Sequence, residues 1–139
     1  MSDVPAYRRK VRFSDTDCQG HVFNANYFVY FDDAITDFLE ASGTPCPSIE
    51  ARGHTLVLAR AECDFRSAAV LGEVLRTRVT TERIGNTSVT FGLRIEEEGS
   101  GRLVAEGREV YVVLDRQTGR PCPVPGYLRE ALDPAGAAG

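Results

Sequence analysis

Residues 14–27 read Ser-Asp-Thr-Asp-Cys-Gln-Gly-His-Val-Phe-Asn-Ala-Asn-Tyr, the densest polar stretch of the chain. It supplies two carboxylates, Asp15 and Asp17, a histidine, His21, and the side-chain amides of Asn24 and Asn26. All of them fall before or at the start of a predicted helix. A helix N-terminus offers unpaired backbone N–H groups and the positive end of the helix dipole. A carbonyl held there would have its developing oxyanion stabilised as a nucleophile adds. Asp17 could attack that carbon itself or take a proton from water. The same residues also suit a plain turn, because Asp-Thr-Asp followed by Gly bonds readily to its own backbone. Residue types alone leave both roles open, and an isolated histidine such as His21 can equally be structural.

The elements that must position this segment follow from periodicity. Residues 6–13 alternate as a strand, with Tyr7, Val11 and Phe13 on one face. Residues 25–42 read as one helix, with Asn24 at the N-cap, Gly43 as the stop and Pro45 just beyond. Its apolar residues spread over more than a narrow stripe, which predicts a helix wrapped on most sides. From Thr55 the period becomes two, giving four strands at 55–65, 75–81, 89–95 and 104–114. Turns at Leu71-Gly72-Glu73, Gly85-Asn86 and Gly99-Ser100-Gly101 make three short connections, which favour an antiparallel meander. The proline-rich stretch 121–125 cannot sit inside a sheet, and Tyr127–Leu132 can add a last helical turn. The expectation is one α+β domain over residues 1–132, a five-stranded antiparallel sheet wrapped around one long central helix, with a frayed tail at 133–139. Five strands leave two open edges, and pairing one across a two-fold axis predicts a homodimer.

Composition narrows the function. Hydrophobic residues make up 42% and charged residues 26%, an ordinary globular balance, and the net charge of −4 argues against general nucleic-acid binding. No apolar run reaches the ~20 residues of a membrane span, and the N-terminus lacks the pattern of a signal peptide. A cytoplasmic protein that is not membrane-bound is expected. Cys18, Cys46, Cys63 and Cys122 are scattered and read as reduced thiols, and with only His21 and His54 as histidines no metal site is expected.

Asp15-Thr16-Asp17, Gly20-His21-Val22, Asn24 and Tyr27, followed by Tyr30-Phe31-Asp32, resemble the signature of the 4-hydroxybenzoyl-CoA thioesterase family. The likeness extends to Gly119-Arg120-Pro121 and Pro123-Val124-Pro125 and so covers nearly the whole chain. It implies the hot-dog fold and hydrolysis of an acyl-CoA, with coenzyme A as part of the substrate, no separate cofactor, and a homodimer or homotetramer. By the same resemblance Asp17 is the catalytic carboxylate, as nucleophile or general base. The Asn24 N–H polarises the thioester carbonyl, His21 helps bind or orient substrate or water, and Asp15 shapes the loop. Phe23, Asn26 and Tyr27 resemble the aromatic-x-x-Asn-Tyr of hydroxybenzoyl-type members, which usually lack the histidine, so the chain combines two patterns. Asp32 stands where the family prefers Glu, and Ile35 where it often has Arg. His54 heads a strand and can line an acyl pocket or simply begin the strand. Arg83, before the 85–88 turn, suits a coenzyme A phosphate through charge-assisted bonds or a solvated surface, and Ser88 serves the ligand or the turn. The competing readings are a thioesterase acting on acyl carrier protein, which would dock on Arg8, Arg9 and Lys10, and a non-catalytic acyl-CoA-binding protein.

Overall fold

The computed structural model describes residues 4–134. Strand β1 (Tyr7–Lys10) leads through a single 3-10 turn (Phe13–Asp15) and the polar loop into helix α1 (Ala25–Ala41). A short helix α2 (Cys46–Ala51) precedes β2 (His54–Phe65), β3 (Val74–Ile84), β4 (Ser88–Glu97) and β5 (Leu103–Asp115), and α3 (Gly126–Leu132) ends the fold. The five strands form one antiparallel sheet in the order β1-β3-β4-β5-β2. One long helix on a five-stranded antiparallel sheet is the expected α+β architecture. Among the described residues no helix is long and apolar enough to cross a membrane.

The structure corrects four expectations. The first strand is shorter than 6–13, because the Arg12 N–H donates to the Asp15 carboxylate at 2.8 Å and draws the chain into the 3-10 turn. The meander is limited to β3-β4-β5, and β2 joins the far side of β5. The 66–73 connection does not turn back, because the Arg66 and Ser67 N–H groups bond the Val104 carbonyl and hold it over the sheet's end. Asn24 is not a side-chain cap: it is already helical at φ −54°, and its amide makes no capping bond. Helix α1 is covered on one face only, through Tyr27, Tyr30, Phe31, Ala34, Ile35, Phe38 and Leu39. Its other face leaves Val29 half exposed and Asp32 and Thr36 in solvent. Of the expected tail, residues 135–139 lie outside the described residues.

The core lies between α1 and the inner sheet face, where Phe38 meets Phe91 edge-on at 6.0 Å and Phe91 meets Tyr111 at 5.9 Å. One charged residue intrudes. Glu109 on β5 is 1% exposed, and its Oε2 has no hydrogen-bond partner. The Tyr111 hydroxyl lies 3.2 Å from both Glu109 Oε1 and Asp32 Oδ1 of α1. A single O–H proton serves one of those two acceptors at a time. Burial first, and the facing Asp32 carboxylate second, push the Glu109 carboxyl up to about 7.

Candidate active site

The loop between β1 and α1 is built by its own backbone. The Asp17 N–H donates to the His21 carbonyl at 2.9 Å and the Gly20 N–H to the Asp17 carbonyl at 3.0 Å, with Thr16 paired to Val22. Gly20 turns the chain at φ +77°, where side-chain-bearing residues are strained. The Gln19 N–H donates to Asp17 Oδ1 at 2.9 Å, so the Asx turn foreseen for this segment is present. Among the described residues the other carboxylate oxygen of Asp17 has no protein partner, and the turn therefore leaves chemistry to it.

Buried groups fix the loop's base. Arg9 grips Asp15 with two bonds, at 2.8 and 3.2 Å, beside the Arg12 N–H. Burial alone would raise the Asp15 carboxyl, but these donors together hold it below the ordinary carboxylate range. The Asp15 carbonyl in turn accepts the Phe23 N–H at 2.8 Å and the Asn26 side-chain amide at 2.9 Å. This clamp sets Asp17 against the start of α1. There the Asn26 and Tyr27 N–H groups are taken by the Phe23 and Asn24 carbonyls. The Asn24 and Ala25 N–H groups have no protein acceptor among the described residues.

Asp17, His21, Asn24 and Tyr27 line one open cleft of about 340 Å3, with Phe65 and Ser67 on its far wall. Phe65, 52% exposed, packs its ring 5.6 Å from that of Tyr27. The far wall belongs to the 66–73 connection, which Arg102 holds by bonds to Ser67 Oγ, the Ala68 carbonyl and the Glu73 carboxylate. The arginine draws the Glu73 carboxyl below its ordinary range. The sequence pattern did not single out Phe65, Ser67, Glu73 or Arg102. The only trace of them there was an aromatic residue at a strand's end followed by small polar residues.

The remaining sequence-predicted residues lie apart from the cleft. Phe23 is half exposed and does not line it, and the Asn26 amide is committed to the Asp15 carbonyl. His54 begins β2 while Phe65 ends it, about 36 Å away at strand spacing, and Arg83 and Ser88 flank the 85–87 turn at that same distant end. There His54 Nδ1 meets the Tyr127 hydroxyl at 2.9 Å, and Arg83 is exposed. Among the described residues no three His, Cys, Asp or Glu side chains gather in a way that could hold a metal ion.

A carboxylate sharing an aromatic-walled cleft with Asn24, at a helix start with unpaired N–H groups, is an arrangement suited to attack on a carbonyl. Residues 11–132 match the thioesterase-like superfamily, nearly the whole chain. The chain belongs to that superfamily. It is an enzyme, a thioester hydrolase with the hot-dog fold. The thioesterase is 28% identical to the long-chain acyl-CoA thioesterase FadM of Escherichia coli, over 89% of this chain and 93% of that one. It is 25% identical to a 1,4-dihydroxy-2-naphthoyl-CoA hydrolase of Thermosynechococcus vestitus, over 93% and 91% of the two chains. The solved structure of the gentisyl-coenzyme A thioesterase BH1999 superposes with a TM-score of 0.80 at 26% identity, covering 91% of this chain and 98% of that one. The match is to the broad superfamily, and the closer likeness to 4-hydroxybenzoyl-CoA thioesterases rests on the motif around Asp17.

Proposed function

We propose that the protein hydrolyses an acyl-CoA thioester, aryl or short to medium acyl, to the free acid and coenzyme A, and that it works as a homodimer. The carrying observation is the one cleft shared by Asp17 and Asn24, at a helix start whose Asn24 and Ala25 N–H groups are unpaired among the described residues. The thioester oxygen would sit on those N–H groups, and negative charge would grow there as the carbonyl carbon is attacked. If Asp17 is the nucleophile, a mixed anhydride forms with loss of the thiolate, and water then cleaves it. If Asp17 is a base, it takes a proton from water, which attacks directly. His21, exposed on the same cleft, is placed to orient substrate or water. An acyl carrier protein is the weaker substrate reading, because its expected docking cluster is largely neutralised: Arg8 is paired with Glu98 and Arg9 with Asp15.

Thiol release from a panel of aryl and aliphatic acyl-CoA esters tests the reading, and turnover of at least one of them is expected. Single-turnover hydrolysis in oxygen-labelled water then separates the two routes, since label in the Asp17 carboxylate requires the anhydride. Failure to cleave any ester of the panel would refute the proposed activity.

A further inference from the structure

The 66–73 connection does more than wall the cleft: at two consecutive residues it is stitched to the loop that carries Asp17. The Ala69 carbonyl accepts the Val22 N–H at 2.9 Å, and Val70 pairs with His21 as an isolated antiparallel bridge. The Ala69 backbone also bonds the Tyr27 hydroxyl on α1. Ala69 is fully buried, so this junction is closed to water. The Asp17 N–H is bonded in turn to the His21 carbonyl. A shift of residues 69–70 therefore moves His21 and, through that bond, Asp17.

Glu73 fixes residues 69–70. Residues 70–73 form a tight turn, with the Glu73 N–H donating to the Val70 carbonyl at 3.1 Å and Gly72 at φ +89°. The Glu73 side chain folds back over this turn, and its Oε1 accepts the Val70 N–H at 2.9 Å. Both backbone groups of Val70 are thus held by one residue. The turn is tied to the end of β1, where Val11 donates to the Glu73 carbonyl at 2.8 Å and accepts the Gly72 N–H at 3.0 Å. Arg102 Nη2 reaches the same Oε1 at 2.9 Å. As an ion pair the two add little, because Arg102 is 39% and Glu73 21% exposed. They divide the connection between them: Arg102 reaches Ser67 and Ala68 in the cleft wall, whereas Glu73 reaches Val70, the partner of the Asp17 loop.

We propose that Glu73 is a positioning residue for thioester cleavage: through Val70 it sets Asp17 and His21 against the start of α1, and it does not itself line the cleft. The proposal rests on the acyl-CoA reading for the reaction it serves, and on the hydrogen bonds alone for the coupling. A displaced reacting group slows the chemical step even where binding persists. The signature of Glu73 is therefore in kcat, and that of Arg102, which holds the wall, is in KM.

Glu73→Ala and Glu73→Gln separate the acceptor from the charge. Glutamine keeps a side-chain oxygen for the Val70 N–H and for Arg102, and alanine removes it. In steady-state thiol release kcat should fall by about 10- to 100-fold in Glu73→Ala, the scale of misplacing a reacting group, and stay within about threefold of wild type in Glu73→Gln. Amide hydrogen exchange followed by NMR gives a second readout that needs no substrate. The Val22 and Asp17 N–H groups should exchange about tenfold faster in Glu73→Ala and at the wild-type rate in Glu73→Gln, with the amides of β4 unchanged in both. An unchanged kcat in Glu73→Ala, or a fall in Glu73→Gln as deep as in alanine, would overturn the proposal. So would exchange at Val22 that does not respond, or that quickens only together with β4, the mark of a general loss of stability. If the wild type cleaves no acyl-CoA, the proposed activity falls by itself, and exchange at Val22 still decides whether Glu73 holds the loop.

Discussion

Replacing Glu109 with glutamine should remove a pH dependence built into the contact between α1 and β5. Glutamine keeps the shape, can accept from Tyr111 and can donate to Asp32 without carrying a charge. In the wild type the Glu109 carboxyl is raised from 4.5 to about 7 by burial and by Asp32. As pH rises through 4.5 the unfolded chain gives up this proton while the folded protein keeps it, so folding stability falls. The fall ends once the folded carboxyl ionises near pH 7. At about 1.4 kcal/mol per unit this amounts to about 3 kcal/mol across the window. For a domain of this size that corresponds to a melting shift on the order of 10 °C. Carboxylates held low, such as Asp15 and Glu73, act in the opposite sense on acidification, so the useful quantity is the difference between variant and wild type. Thermal melts followed by circular dichroism from pH 4.5 to 8 should show Glu109→Gln gaining on the wild type by about that amount. A difference that stays constant across the range would refute the assignment of the proton to this pair.

Other expected outcomes follow from single contacts. Asp15→Ala leaves the Arg9 guanidinium and the Arg12 N–H without their acceptor, and should cost about 2–3 kcal/mol in urea unfolding while lowering kcat. Gly107→Ala would drive a methyl into the backbone carbonyl of Glu62 on β2 and should destabilise by about 3 kcal/mol or more. Gly92→Ala meets the Glu82 carboxylate at 2.6 Å, the far end of a flexible side chain, and should cost about 1 kcal/mol, measured in the same titration. Arg102→Ala frees the 66–73 connection, and the acyl-CoA KM should rise about tenfold, the scale of losing one charge-assisted network, in steady-state thiol release.

Much of this architecture was legible in the residues because period and punctuation carry it. Gly43 and Pro45 end α1 where the pattern said, and the alternation from Thr55 onward marked all four long strands. The neighbour of β2 was not legible, since turn residues at 71–73 signal a change of direction but not which strand lies alongside. That choice is made by Arg102 and the Val104 carbonyl, contacts remote in sequence. Among site residues, Asp17, His21, Asn24 and Tyr27 were readable because one loop and one helix start carry them together. His54, Arg83 and Ser88 were ligand candidates from their places at strand ends and a turn, yet within one chain they lie at the sheet's other end. Phe65 escaped notice because an aromatic residue closing a strand has the same local pattern whether it packs in a core or walls a cleft. For Asp17 both readings stay open: one oxygen makes the turn and the other has no protein partner among the described residues.

The most direct test of the central claim is the steady-state hydrolysis of the best acyl-CoA ester by Asp17→Asn beside the wild type. Asparagine can still accept the Gln19 N–H through its carbonyl oxygen, so the loop and the melting temperature should be kept. The kcat is expected to fall by about 10^3, the scale of losing a positioned base or nucleophile. A well-folded variant whose kcat stays within about threefold of wild type, far less than loss of a catalytic group removes, would contradict the account.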